Sequence, residues 1–243
     1  MKRIMIGLLT ATALLTTIGA RAEQTSYDVL ATKAERFYNQ KDWSSASAMY
    51  GMILAQRPND TGIYCKAITA AGMRNNSAEQ TALLNQALKA KTPIDSLFSG
   101  VEKASFAIGQ TNLYENFLMT ARIANPWMSR NIDSYLLKYY TFRRNGPKMI
   151  EYADIMLKGD PESETFGYAL AQGMLNEGRT EEAMAEYRKI LEKNPDAIEA
   201  LLYLGNLEIA TGNRSEALQL LKKAYALRPT PHVAARIRSL EGR

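Results

Sequence analysis

The chain has 243 residues, 46% of them hydrophobic and 23% charged, with a formal net charge of +5, one cysteine and one histidine. A single cysteine excludes an internal disulfide, so the fold must be held by packing. One histidine and one cysteine put the usual tetrahedral zinc set out of reach, and neither a metal nor a cofactor is expected.

The chain opens Met1-Lys2-Arg3, runs apolar from Ile4 to Ile18 and then reads Ala20-Arg21-Ala22. A short positive segment, an apolar segment and a small-x-small site are the parts of an export signal, here residues 1–22 with cleavage after Ala22. A spanning helix needs roughly 20 apolar residues. This run is shorter and is broken by Gly7, Thr10, Thr12, Thr16 and Thr17, so no stable membrane insertion is expected after cleavage. The segment holds Lys2, Arg3 and Arg21 and no acid, so its removal leaves 27 Lys+Arg against 25 Asp+Glu, a net charge of +2. Nucleic-acid binding, which needs a clustered basic footprint, is therefore not expected. An exported protein, periplasmic or secreted, is.

Residues 23–243 repeat. The period is plainest near the C-terminus, where Gly178, Ala183, Tyr187 and Pro195 recur 34 residues later as Gly212, Ala217, Leu221 and Pro229. In this register the first copy, 27–60, holds Leu30, Ala34, Phe37, Ala46, Tyr50 and Pro58, with Lys41 where a glycine is usual. The second, 61–94, holds Tyr64, Ala67, Ala71, Leu84 and Ala87, with Gln80 in place of the small alanine and Pro93 one position late. The third, 95–128, holds Phe98, Val101, Gly109, Leu118, Ala121 and Pro126, with Tyr114 at the alanine position. The fourth, 129–163, holds Ile132, Tyr135, Leu136, Tyr139, Tyr152 and Ile155, with Lys148 at the alanine position and Pro161 one position late. The fifth, 164–197, adds Leu170 and Ala171; the sixth, 198–231, adds Leu201, Leu204, Gly205 and Ala224. Val233, Ile237 and Leu240 then form one apolar stripe that predicts a capping helix over 231–241.

The spacing of three and four between apolar residues predicts helices throughout. The small residue marks where two helices touch, glycine permits a left-handed turn, and proline closes or opens a helix. Asn213 with Glu216, Asn112 with Glu115, and Ser77 with Gln80 fit capping boxes, and Thr92-Pro93 and Thr230-Pro231 read as a cap followed by a first-turn proline. One hairpin cannot bury its own apolar face, so neighbours must stack.

This pattern resembles the tetratricopeptide repeat family, most fully at Leu201, Leu204-Gly205, Gly212, Ala217, Leu221, Ala224 and Pro229. The resemblance implies an all-α, right-handed α-solenoid of antiparallel helical hairpins, about six repeats plus the C-terminal capping helix. It also implies a concave groove lined by the first helix of each hairpin, which binds a protein or peptide. Carried onto this chain, the family's inward positions are Tyr38, Lys66, Lys103, Phe106, Arg130, Tyr140, Tyr168, Gln172, Asn176, Tyr203 and Asn206. Aromatic, Arg and amide side chains suit such a surface, although several of these tyrosines have a second reading as packing residues between repeats. The terminal-carboxylate clamp of chaperone-binding members is absent: Ala31 and Glu35, and Tyr168 and Gln172, stand at its leading positions.

No catalytic set is apparent. Cys65 and His232 fall in the second copy and the cap, which stacking holds apart. Glu181-Glu182 and Asp160 with Glu162 sit at helix starts, where negative charge complements the dipole. The expected function is that of an exported interaction adaptor and not an enzyme, with a self-associating structural subunit and a glycan-binding protein as alternatives. The partner and the oligomeric state are not written in the sequence.

Overall fold

Residues 26–242 are described in the computed structural model; the proposed export signal and its cleavage site lie outside them. Among the described residues there is no strand. The chain divides between Pro126 and Trp127 into two compact units.

The N-terminal unit holds α1 (26–39), α2 (Trp43–Gln56), α3 (Thr61–Met73), α4 (Ser77–Lys89), α5 (Ile94–Ala107) and α6 (Thr111–Ala124). Consecutive helices form antiparallel hairpins, and α3 packs on α5 as α4 does on α6. The C-terminal unit holds α7 (Ser129–Arg143), α8 (Gly146–Gly159), α9 (Glu164–Asn176), α10 (Thr180–Lys193), α11 (Ile198–Ala210), α12 (Arg214–Leu227) and α13 (Pro231–Glu241). Each packs on the next, and α7 also touches α9. The cap α13 lays Val233 and Ile237 on Leu221 of α12. Each unit is thus an all-α stack of the solenoid type.

The alanines of the repeat are buried where helices meet: Ala46, Ala183 and Ala217 are fully enclosed. Three hairpins carry a large residue at this point, Gln80, Tyr114 and Met149, and two of these face a glycine. Gln80 is buried opposite Gly72, where a Cβ would stand 2.6 Å from Gln80 Nε2. In the fourth hairpin the residue at the contact is Met149, 2% exposed, and not Lys148. Its Cβ faces Gly173, where an added Cβ would come within 3.0 Å. The glycine takes up the volume that the alanine does not save.

The turn inside each hairpin is closed by one left-handed residue: Lys41, Asn75, Gly109, Arg144, Gly178 and Gly212, all with φ between 52° and 90°. The step between them is 34 residues, except for 35 between Gly109 and Arg144. That extra residue explains why Lys148 misses the contact. Lys41 and Arg144 pay the Cβ penalty that glycine avoids.

Helix starts differ in part from expectation. Asp42, Asp60, Asn76, Asn145 and Thr230 cap α2, α3, α4, α8 and α13 by accepting a backbone N–H. The capping pair of α4 is Asn76 with Glu79, one residue before Ser77 and Gln80, because Gln80 is turned inward to Ile68 O at 3.2 Å. Asn112 lies inside α6. Asn213 precedes α12 but gives its side chain to the buried Glu208, Nδ2 to Oε2 2.6 Å, so it makes no cap bond. Thr230-Pro231 opens α13 as expected, whereas at α5 Pro93 itself holds the cap position and Thr92 bonds back to Ala87 O.

Cys65 of α3 is buried against α5, its Sγ 3.5 Å from Leu97 O. The close approach requires Gly100, where a Cβ would fall 2.3 Å from that sulfur. Burial pushes the Cys65 thiol up to about 11, so it stays protonated and unreactive at neutral pH.

Three measurements check this packing. Arg144→Gly should raise the unfolding free energy by about 1 kcal/mol and Gly212→Ala lower it by about the same, read from urea melts. Gly100→Ala should cost about 2 kcal/mol by overpacking, and Cys65→Ala in the same chain should restore most of it; a double variant no more stable than Gly100→Ala would refute the contact. A thiol reagent at pH 8 should leave Cys65 unmodified in the native chain and react fully in urea.

Candidate functional site

The first helices of the C-terminal unit form one face. Along α7, residues 134, 137, 138 and 141 follow the spacing of one helical stripe, as do 165, 168, 169 and 172 along α9. Between the two stripes lies a groove of about 550 Å³. Leu137, Phe142, Phe166, Tyr168 and Ala169 supply its apolar lining, and Ser134, Lys138, Thr141, Thr165 and Gln172 its polar edge. Phe142 is 68% exposed, a high exposure for a phenylalanine.

Tyrosines extend the face toward α11. Tyr168 stands 6.5 Å from Tyr203, and Tyr203 stacks on Tyr187 at 5.4 Å with the rings 10° from parallel. Their hydroxyls are fixed by neighbours. Ala197, at the cap position of α11, has no side-chain acceptor, and Ala200 N–H donates instead to the Tyr168 hydroxyl at 3.1 Å. Gln172 Nε2 donates to the Tyr187 hydroxyl at 2.7 Å. Burial raises both phenols above the usual tyrosine range, Tyr187 to about 12, the Gln172 bond acting against it. Both hydroxyls are therefore neutral at physiological pH. Tyr168 thus lines the groove while its hydroxyl bonds to the next hairpin.

The residues expected to line a groove fall into three groups. Tyr168 and Gln172 line this one, and Tyr203, 44% exposed, continues it. Asn206 follows on α11, half-buried, with its Oδ1 buried and without a hydrogen bond among the described residues. A second group is engaged in packing. Tyr38 is buried edge-on against Trp43 at 5.1 Å, and Tyr140 is buried between Tyr139 and Tyr152, stacked on the latter at 5.5 Å. Neither offers a surface; each fills the space between the helices of its own hairpin. Arg130 lies over Gly159 at the C-terminus of α8, where its charge suits the dipole. Asn176 donates to Met149 Sδ at 3.3 Å, also on α8. Lys66 is paired with Glu35 of α1. The third group, Lys103 exposed and Phe106 half-buried, lies on α5 of the N-terminal unit.

Phe142, Phe166, Leu137 and Lys138 were not among the expected residues. The signal that marks Lys138 and Phe142 is the 34-residue step back from Gln172 and Asn176; a 34-residue step forward from Phe106 crosses the extra residue before Arg144 and points instead to Tyr140.

Among the described residues no group of three or more His, Cys, Asp or Glu is placed to hold a metal ion, and no helix is long and apolar enough to cross a membrane. At the basic C-terminal end Lys222 pairs with Glu241 at 2.7 Å and Lys223 with Asp196 at 3.2 Å.

Comparison with known proteins agrees with this architecture. The chain is similar to the putative cellulose synthase operon protein C of Escherichia coli O157:H7, 25% identical over 208 residues, and to the cellulose synthase operon protein C of Escherichia coli strain K12, 24% identical over 208 residues. Each match covers 82% of this chain and 18% of the relative, so the chain spans less than a fifth of the length of the curated relatives it matches. Among solved structures, the Naa15/Naa10 assembly bound to HypK-THB shares the fold with a TM-score of 0.50 at 18% identity, over 89% of this chain and 34% of that one. The C-terminal part of a TPR repeat-containing protein from Cytophaga hutchinsonii gives 0.49 at 15% identity, over 80% and 77%. The tetratricopeptide repeat family model matches residues 174–238, and the hairpins of that segment, from the end of α9 through α13, are tetratricopeptide repeats.

Proposed function

We propose that the protein is an exported, non-catalytic adaptor, released in the periplasm or secreted after cleavage behind Ala22, that holds a segment of another protein in the α7–α9 groove. The observation that carries this reading is the exposed Phe142 beside a mainly apolar groove. A large apolar side chain kept in water is a standing cost unless a partner covers it. Tyr168 and Gln172 are pre-positioned by their bonds to α11 and Tyr187, so docking would require little ordering of the site. Aromatic anchors in a fixed pocket are the residues that dominate binding energy at protein interfaces. The exposed area of the lining is mainly apolar, which favours an apolar protein side chain over a sugar. The relatives' names suggest where to look first: products encoded with a cellulose synthase.

Two outcomes are expected. The exported protein should begin at Glu23 by intact mass, 22 residues shorter than the translated chain. The tagged mature chain should retain a specific protein from envelope extract, and Phe142→Ser with Phe166→Ser should weaken that complex at least about 30-fold while leaving the thermal melt of the chain near that of the parent. Retention unchanged by both substitutions would remove the groove from the function.

A further inference from the structure

The groove between α7 and α9 joins an apolar lining to very few spare hydrogen-bonding groups. On the reading proposed above, that combination limits the form of its partner. Leu137, Phe142, Phe166, Tyr168 and Ala169 give it a mainly apolar exposed surface. The polar side chains along its edge are largely committed within the chain. Thr141 Oγ1 donates to Leu137 O at 2.8 Å. Gln172 Nε2 donates to the Tyr187 hydroxyl, and the Tyr168 hydroxyl accepts from Ala200 N–H. Lys138 holds an interaction within the chain as well. The other polar members of the lining are two hydroxyls, Ser134 and Thr165.

An extended segment carries one N–H and one C=O at every residue. Against this lining, those that face the groove would leave water and find too few partners, at a cost for each. An α-helix arrives with the same groups already paired to one another. The dimensions agree. On α7 the lining runs from Ser134 to Phe142 and on α9 from Thr165 to Gln172, about two helical turns in each. That is the rise between positions i and i+7 of a third helix, about 10 Å. The chain already seats one helix in this manner: α13 packs on α12 through Val233, Ile237 and Leu240, which stand at i, i+4 and i+7. We propose that the groove takes an amphipathic helix of another protein, which lays large apolar side chains at i, i+3 or i+4, and i+7 between α7 and α9.

The test pans two display libraries on the full exported chain. In one, a single face of a stably helical scaffold is randomised. In the other, a linear peptide of the same length carries a fixed central proline, which a helix interior disfavours. The helical library should enrich, with large apolar residues at the stated spacing, and the proline library should not. A synthetic peptide of an enriched face is then measured by fluorescence anisotropy. Its affinity should fall about 100-fold when an outward residue at its centre becomes proline, and less than about threefold when that residue becomes alanine. It should also fall at least about 30-fold on the chain carrying Phe142→Ser with Phe166→Ser, whose fold a thermal melt verifies. Enrichment from the proline library, or peptides that tolerate the proline, with binding still lost in the double variant, would overturn the helical partner and leave the groove as a docking site. Enrichment from neither library would also overturn the helical partner. Peptides indifferent to the double variant would overturn the groove reading with it.

Discussion

The first helix of each hairpin must pack on its own second helix and on the next hairpin at once. Everything else in the structure follows from that demand. Two contacts on one helix can be close only where side chains are small, which is why Ala46, Ala183 and Ala217 are fully enclosed. In the second and fourth hairpins, where the small residue is missing, another helix supplies the space: Gly72 receives Gln80 and Gly173 receives Met149; Gly100 makes room for Cys65 in the same way. The same demand sets the turns. A left-handed residue must end the first helix in every hairpin, and the chain accepts Lys41 and Arg144 there at a steric cost. It also leaves a third side of the first helices partly exposed. In the C-terminal unit that side holds Phe142, Phe166 and Tyr168, and it becomes a groove.

The polar interior serves the stacking as well. Glu208 is fully buried in α11, bonded by Arg188 of α10 and by Asn213 at the head of α12. A buried carboxylate that lost these partners would be costly, so one residue ties three successive helices to a single register. Tyr168 does the same between α9 and α11 by accepting from a helix start that has no cap of its own. The groove is thus lined by a residue whose hydroxyl also fixes the next hairpin. Its shape is set before any partner arrives.

Much of the fold was legible in the sequence because packing constraints repeat. Alanine at 183 and 217, glycine at 178 and 212 and the apolar stripes predict the hairpins, and Thr230-Pro231 predicts the start of the cap. The central hairpins were harder, since their departures are compensated by residues on another helix: nothing local to Gln80 announces Gly72, and nothing local to Met149 announces Gly173. The single extra residue before Arg144 shifted the register of the fourth hairpin against the first three, so positions carried forward from Phe106 fall on Tyr140. Of the candidate site, Tyr168, Gln172 and Tyr203 could be read from the period. Tyr38 and Tyr140 could not be sorted from them, because a tyrosine at helical spacing looks alike whether it fills a hairpin or faces solvent. Phe142 and Phe166 needed the neighbouring helix to be seen as a wall.

The central claim is that the face of α7 and α9 meets another protein. Site-specific photo-crosslinking in the living cell tests it most directly, with a benzoyl-phenylalanine placed at position 142, at 166, or at Met52, which is 51% exposed in the N-terminal unit. A protein adduct should form from 142 and 166 and not from 52. Adducts absent from both groove positions, or formed equally from position 52, would contradict the claim.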